Sequence, residues 1–298
     1  NMKDGTFRDA TFTAKYSSQK MGGDHGQALC QWEANPADFD NDGDMDLLQV
    51  ELNGGYDKGE GRTHISITQG AEEDFEYVWD LDRIERDAPD NSHLGDQGGA
   101  WFDLDNDTRL DLSVQQMGYL NANTQGQSRL YICRQNKEKY FKDISLELGI
   151  KESMKQAHSL EPCDYDLDGD LDLFVSRQVT DTIETDTGDV YDTHMQVTLL
   201  QNEIGNLNNW TGIKLEQPAE ANQSGIGSRI YIKSYTITQI REIQAGLGHF
   251  ANQQQFIRFA GLGDLNRIDE MTVRWPNADI PETHITNPPV NLIIKADA

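Results

Sequence analysis

The chain has 298 residues, of which 51 are acidic and 25 basic, giving a formal net charge of −26. That charge repels nucleic-acid phosphates and anionic lipid headgroups, and no run of about 18 apolar residues is present to cross a membrane as a helix, so cations are the natural partners. With 36% hydrophobic residues and five Trp, ten Tyr and ten Phe, the chain can still build cores, and its length suits one large all-β unit followed by a small one.

In chain order, the opening residues NMKDGTFRDATF read as the outer strand of a repeat whose acidic loop lies upstream. No signal peptide is legible at Asn1, so the chain is expected to be processed or truncated at its start. The first acidic loop follows in ADFDNDGDMDLLQV from Ala37. It leads into an apolar strand at Leu47–Val50, a polar connection over residues 52–62, an alternating strand over 64–69 and a closing strand over 75–79. The pattern returns in WFDLDNDTRLDLSV from Trp101, with strands at 112–114, 129–134 and 140–144. It returns again in CDYDLDGDLDLFV from Cys163, with strands at 173–175 and 196–201 and a Thr- and Asp-rich connection over 180–193 that reads as an exposed loop.

First aspartates at 38, 103 and 164 stand 65 and then 61 residues apart. A period near sixty with strand-like flanks predicts the blades of a β-propeller. Three blades and a fragment cannot close a ring that needs about four at least. The missing blades are therefore expected upstream in the chain or from a partner chain. After Asn202 the acidic loops stop, and strand-like runs (WTGIKLE, SRIYIKSYTITQIREIQ, QFIRFAGLG, DEMTVRWP, VNLIIKA) alternate with Gly, Asn and Pro clusters. The predicted division is residues 1–202 for the propeller blades and 203–298 for a small β-sandwich.

Each loop follows Asp-x-Asp-x-Asp-Gly-x-x-Asp-Leu, except that Thr108 and Arg109 follow the third aspartate of the second. Ca²⁺ takes six to eight hard oxygens, and carboxylates at alternating positions of a tight turn converge on such an ion. The predicted ligands are Asp38, Asp40, Asp42 and Asp46 with the carbonyl of Asp44. The second set is Asp103, Asp105, Asp107 and Asp111 with the carbonyl of Arg109, and the third is Asp164, Asp166, Asp168 and Asp172 with the carbonyl of Asp170. Three Ca²⁺ ions are expected, one per loop. Mg²⁺ suits so many protein ligands poorly, and the glutamate that closes an EF-hand at position twelve is replaced by Gln49, Val114 and Val175. Glycine at position six (Gly43, Gly169) permits a positive φ, so Thr108 predicts the weakest site.

His25, His93 and His158 precede the three loops by six to thirteen residues, which offers either an axial metal or redox site or repeat-related structural residues. Cys133 and Cys163 are a candidate disulfide, the alternative being that Cys30, Cys133 and Cys163 are buried thiols. Asn106, Asn209 and Asn222 begin N-x-[ST] sequons, of which Asn106 lies inside a loop and is not expected to be modified. No nucleophile elbow, HExxH or phosphate-cradling loop occurs, and GLGD and GIGS read as turns.

The blade pattern, together with Asn1–Thr11 (N-x-x-D-G-T-F-x-D-x-T), resembles the FG-GAP or VCBS repeats of integrin-α-like propellers. The stretches GIGSRIYI, TQIREIQAGLGHF, GLGD and VRWPN resemble the ASPIC/UnbV domain. That order of modules is similar to cartilage acidic protein-like chains, and the resemblance implies a propeller of about seven blades of which this chain holds the C-terminal part. Thr108 for glycine, an added residue in FAGLG and Ala278 after Trp-Pro-Asn depart from the pattern, and none of them is a predicted ligand. The expected function is a calcium-binding extracellular recognition or scaffold module with a protein or glycan ligand. The alternatives are part of a secreted enzyme, polysaccharide-active or redox, with its site on the propeller axis, or a structural subunit of a surface assembly. A secreted, cell-surface or periplasmic location follows from the calcium supply such loops need.

Overall fold

The computed structural model describes residues 31–51, 63–70, 76–80, 82–86, 94–118, 129–151, 154–186, 188–216, 225–245, 257–277 and 279–298. Among these the regular structure is β-strand apart from one short 3-10 turn at Gly205–Leu207. The opening segment and its strand-like motif lie outside the described residues.

The first sheet has the order β1 (Gln31–Ala37), β2 (Asp46–Glu51), β3 (His64–Thr68), β4 (Tyr77–Asp80). The second contains β5 (Ile84–Glu85), β6 (Leu94–Phe102), β7 (Asp111–Gly118), β8 (Leu130–Gln135) and β9 (Phe141–Asp143), ordered β5-β9-β8-β7-β6. The third is β10 (Ala157–Cys163), β11 (Asp172–Thr185) and β12 (Gly188–Leu200). In all three the strand entering the acidic loop pairs antiparallel with the strand leaving it. The last ladder pairs are Ala37–Asp46, Phe102–Asp111 and Cys163–Asp172. Each entering strand also carries a register shift, at Gln31/Glu33, Asp96/Gly98 and Ala157/Ser159.

Strand alternation divides the middle sheet between two cores. Trp101, Leu112, Val114, Tyr131, Cys133 and Phe141 join Phe39 of the first loop and Leu48, Val50 and Ile65 of the first sheet. On the opposite face Phe102, Leu130, Ile132 and Ile144 join Leu160, Leu173 and Val175 of the third. Successive residues of β8 thus face different neighbours, as a period of two requires in a sheet covered on both sides. Gly99 lets β6 approach the first sheet, since a Cβ there would press on Leu48 and Val50.

The third sheet differs from the expected loop over residues 180–193. That stretch extends β11 and β12 into a long antiparallel pair with thirteen paired positions from Leu173–Leu200 to Thr185–Gly188. Val179, Thr180, Thr182, Ile183 and Thr185 are β-branched and favour a strand over a loop. Among the described residues β12 is an edge, and Tyr191, Met195, Val197 and Leu199 on one of its faces are exposed.

The C-terminal strands form two further sheets. β13 (Asn209–Glu216) lies between β16 (Arg258–Gly263), to which it is antiparallel, and β19 (Ile293–Asp297), to which it is parallel. The other sheet runs β15 (Ile237–Glu242), β14 (Arg229–Ser234), β17 (Glu270–Arg274), β18 (Thr283–Thr286). The run SRIYIKSYTITQIREIQ, read as one strand, is the β14–β15 hairpin, turned at Tyr235 with φ 53. One core takes side chains from both sheets, including Ile213, Leu215, Ile230, Ile232, Leu262 and Val273.

Candidate metal centre

The three aspartate loops share one backbone. Position four has positive φ in each (Asn41 57, Asn106 53, Leu167 63), and so does position six (Gly43 100, Thr108 83, Gly169 99). Thr108 therefore occupies the conformation that glycine takes in the other two loops.

Side chains hold that backbone in the same way three times. The first aspartate accepts from the fifth-position amide: Asp42 N to Asp38 Oδ1 at 3.0 Å, Asp107 N to Asp103 Oδ1 at 3.0 Å, Asp168 N to Asp164 Oδ1 at 3.2 Å. The fifth-position carboxylate accepts from the seventh amide, at 2.9 Å for Asp44, 3.0 Å for Arg109 and 3.2 Å for Asp170. The ninth-position aspartate reaches the end of the third strand of its own sheet. Asp46, Asp111 and Asp172 accept from the amides of Thr68, Gln135 and Asn202, each at 2.8 Å.

Carboxylates gather in each loop with one oxygen from each of three aspartates within 4.8 Å of the others: Asp38, Asp40 and Asp42; Asp103, Asp105 and Asp111; Asp164, Asp166 and Asp172. Three of the four predicted side-chain ligands thus converge in every loop. In the first, Asp46 stands outside the trio. In the second it is Asp107, ion-paired with Arg109, the residue that replaces an aspartate of the other loops. In the third it is Asp168, which accepts from Asn206 Nδ2 at 2.6 Å. Asp44, Arg109 and Asp170, whose carbonyls were the expected backbone ligands, occupy the seventh position of each loop, and Asp170 is fully buried.

Ionised carboxylates about 4.8 Å apart repel by about 3–4 kcal/mol per pair at an effective dielectric of 20. Burial adds to this. Desolvation raises Asp38 to about 6, with the neighbouring charge of Asp42 acting in the same direction. It raises Asp46 to about 8, Asp103 to about 7, Asp164 to about 6 and Asp170 to about 7, and it lifts Asp111 well above the ordinary carboxylate range. Buried oxygens Oδ2 of Asp38, Oδ1 of Asp40, Oδ2 of Asp46, Oδ1 of Asp105 and Oδ1 of Asp170 accept no hydrogen bond. Hard oxygens, crowded, buried and short of donors, fit a hard divalent cation.

Several residues of this arrangement escaped the motif. Gln135 donates from Nε2 to the carbonyls of Phe39, in the first loop, and Leu110, in the second, at 3.0 and 3.2 Å. Asn202 repeats this one sheet later, donating to Leu104 and Leu171 at 2.7 and 3.3 Å. Asn41 Nδ2 donates to the Thr108 carbonyl at 3.2 Å and Asn106 Nδ2 to that of Gly169 at 2.9 Å, so the fourth position of one loop ties to the sixth of the next. The available signal was the QN pair recurring at the end of the third strand, at 135–136 and 201–202, although the donor is the Gln of the first and the Asn of the second.

Elsewhere the expectations divide. His25 and His93 lie outside the described residues. His158 is half-buried on β10, and burial lowers its pKa. The candidate disulfide is overturned: Cys133 and Cys163 are both free. Cys133 points into the core between the first two sheets, whereas Cys163 ends β10 in a half-buried position beside the third loop, so the two thiols serve different surroundings. Cys30 and the sequon at Asn222 lie outside the described residues. Asn106 is buried, its amide committed to neighbouring carbonyls, which leaves no room for a glycan. GIGS is a turn as read, whereas Gly261–Gly263 of GLGD belong to β16.

Fold and loops together define an all-β chain with three repeat-related acidic centres. Residues 218–297 match the family described as ASPIC and UnbV, which supports the resemblance read in the C-terminal motifs. The match begins after β13, a strand that nonetheless sits at the centre of one of the two C-terminal sheets. No curated protein matches the chain.

Proposed function

We propose that the chain is a calcium-binding extracellular module in which blades of an FG-GAP/VCBS-type β-propeller, about seven in the complete ring, are followed by an ASPIC/UnbV β-sandwich. Its role is recognition or scaffolding toward a protein or glycan. The observation that carries this reading is the threefold recurrence of one loop geometry, each copy with three converging carboxylates. Asp38, Asp40, Asp42 and Asp46, then Asp103, Asp105, Asp107 and Asp111, then Asp164, Asp166, Asp168 and Asp172 would hold one ion each, with the carbonyls of Asp44, Arg109 and Asp170. Bound calcium would supply positive charge where buried carboxylates face one another. The chain's own residues do the rest: positions four and six turn the backbone, and the ninth aspartate anchors the turn to the third strand.

Extracellular calcium fills sites of about 10⁻⁴ to 10⁻³ M affinity, whereas cytosolic levels leave them empty, which favours a secreted, cell-surface or periplasmic setting. The exposed apolar face of the β11–β12 hairpin supports a recognition role, because contiguous exposed apolar residues mark interaction sites. Thermal unfolding with and without chelator tests the calcium reading. A site at one hundred times its Kd adds about 2.7 kcal/mol to stability. EDTA should therefore lower the melting temperature steeply, and an unchanged melting temperature would remove the basis of the proposal.

A further inference from the structure

The C-terminal sheets do not merely follow the acidic loops in sequence; they rest on two of them. Gly261 of β16 lies over the second loop so closely that a Cβ there would overlap the backbone of Asn106 and the carboxylate of Asp103. Two residues on, Gly263 N donates to the Asn106 carbonyl at 2.7 Å, and Gln239 Nε2 on β15 holds the Gly261 carbonyl at 2.7 Å. Asn208 Nδ2 donates to the Asp105 carbonyl at 2.7 Å. At the third loop the Trp210 indole covers Gly169, where any side chain would overlap it, and Asn206 donates to the Asp168 and Asp170 carboxylates at 2.6 and 3.2 Å. Among the described residues the hydrogen bonds and ion pairs of the first loop stay within the blades, while β15 lies beside β1 and the Arg241 charge acts on Asp38.

We propose that the C-terminal domain is a positioning element for the second and third metal loops, so that divalent-cation binding at these two loops and docking of the domain are thermodynamically coupled. The inference rests on the calcium reading above. Donors from residues 208 and 263 hold the backbone of the second loop, and Asn206 holds the turn of the third through the Asp168 and Asp170 side chains beside its trio; an ion that fixes each loop presents the same surface to the domain. Linkage makes the coupling reciprocal: whatever factor docking contributes to calcium affinity, calcium returns to docking. The close approach at Gly261 explains why a β16 position carries no side chain, which the local strand pattern does not require. The hydrogen bonds are also selective: among the described residues, donors from 206, 208 and 263 reach the second and third loops, whereas the first loop meets the domain through the packing of β1 against β15 and the charge of Arg241 near Asp38.

The test is calcium titration calorimetry on the whole chain, wild type against Gly261→Val, with small-angle scattering in calcium and in EDTA as an independent readout. Wild type should bind three ions, and chelation should increase its radius of gyration as the domain leaves the loops. Gly261→Val should weaken two of the three sites by about tenfold, the size of a typical coupling of 1–3 kcal/mol, and leave the third unchanged. Asn208→Ala, which removes a single donor without adding bulk, should weaken one site in the same direction and serves if the valine variant does not fold. Affinities unchanged from wild type at all three sites in a folded variant, or a radius of gyration indifferent to calcium in a wild type that binds three ions, would overturn the coupling while leaving the calcium reading intact. A wild type that binds no calcium would overturn both.

Discussion

Thr108 is the residue at which the repeat departs most from its own pattern. Its φ of 83 lies in the region where a β-branched side chain is strained, yet its amide still donates to Asp103 Oδ2 at 3.1 Å and its carbonyl accepts from Asn41. Thr108→Gly keeps both backbone contacts and relieves the strain. It should stabilise the folded chain by about 1 kcal/mol and tighten the second site, read as a higher melting temperature in calcium. Titration sets a second expectation at this scale. Asp38, Asp103 and Asp46 reach about 6, 7 and 8 against an unperturbed 3.8, so the folded metal-free chain binds more protons than the unfolded chain between those limits. Stability of the metal-free chain therefore falls as pH rises from about 4 to 8. Calcium competes with these protons, so its affinity should rise over the upper part of the same window, from pH 6 to 8, and melting curves with and without calcium should diverge as pH increases.

At the scale of elements, the strands leaving the loops were legible because apolar residues alternate or cluster there, as in Leu47–Val50 and Leu112–Val114. The strands entering the loops were not. β1 reads QWEANPA and β10 reads AHSLEPC, each with a proline and little alternation, and β6 contains three glycines. They survive as strands because they are sheet edges, where Pro36 and Pro162 opposite Leu47 and Leu173 cost no interior ladder bond. Spacing alone pointed to the three carboxylates that converge in each loop, while Asp46, Asp107 and Asp168, expected with them, stand outside the trios. The amides of Gln135 and Asn202 were not legible, since their partners lie in the preceding loop, 96 and 98 residues away. Closing strands hold the inter-sheet cores. Phe141 is fully buried and its ring centroid lies 5.8 Å from that of Phe39 and 5.7 Å from that of Trp101. Phe141→Ala should cost about 3–5 kcal/mol, measured by denaturant unfolding in saturating calcium, because the cavity opens between two sheets that cannot easily collapse.

For the molecule as a whole, the acidic composition and the three aspartate loops belong together. A chain at −26 that buries carboxylates in three places needs a counter-charge at each, and the loops place hard oxygens where a divalent ion can supply it. The direct test is a count of bound calcium. After chelator treatment and equilibrium dialysis against millimolar calcium, metal analysis should find three ions per chain, and the triple variant Asp38→Ala, Asp103→Ala, Asp164→Ala should retain none at the same free calcium. A wild-type chain that binds no calcium, or a triple variant that binds as much as wild type, would contradict the assignment of the three loops.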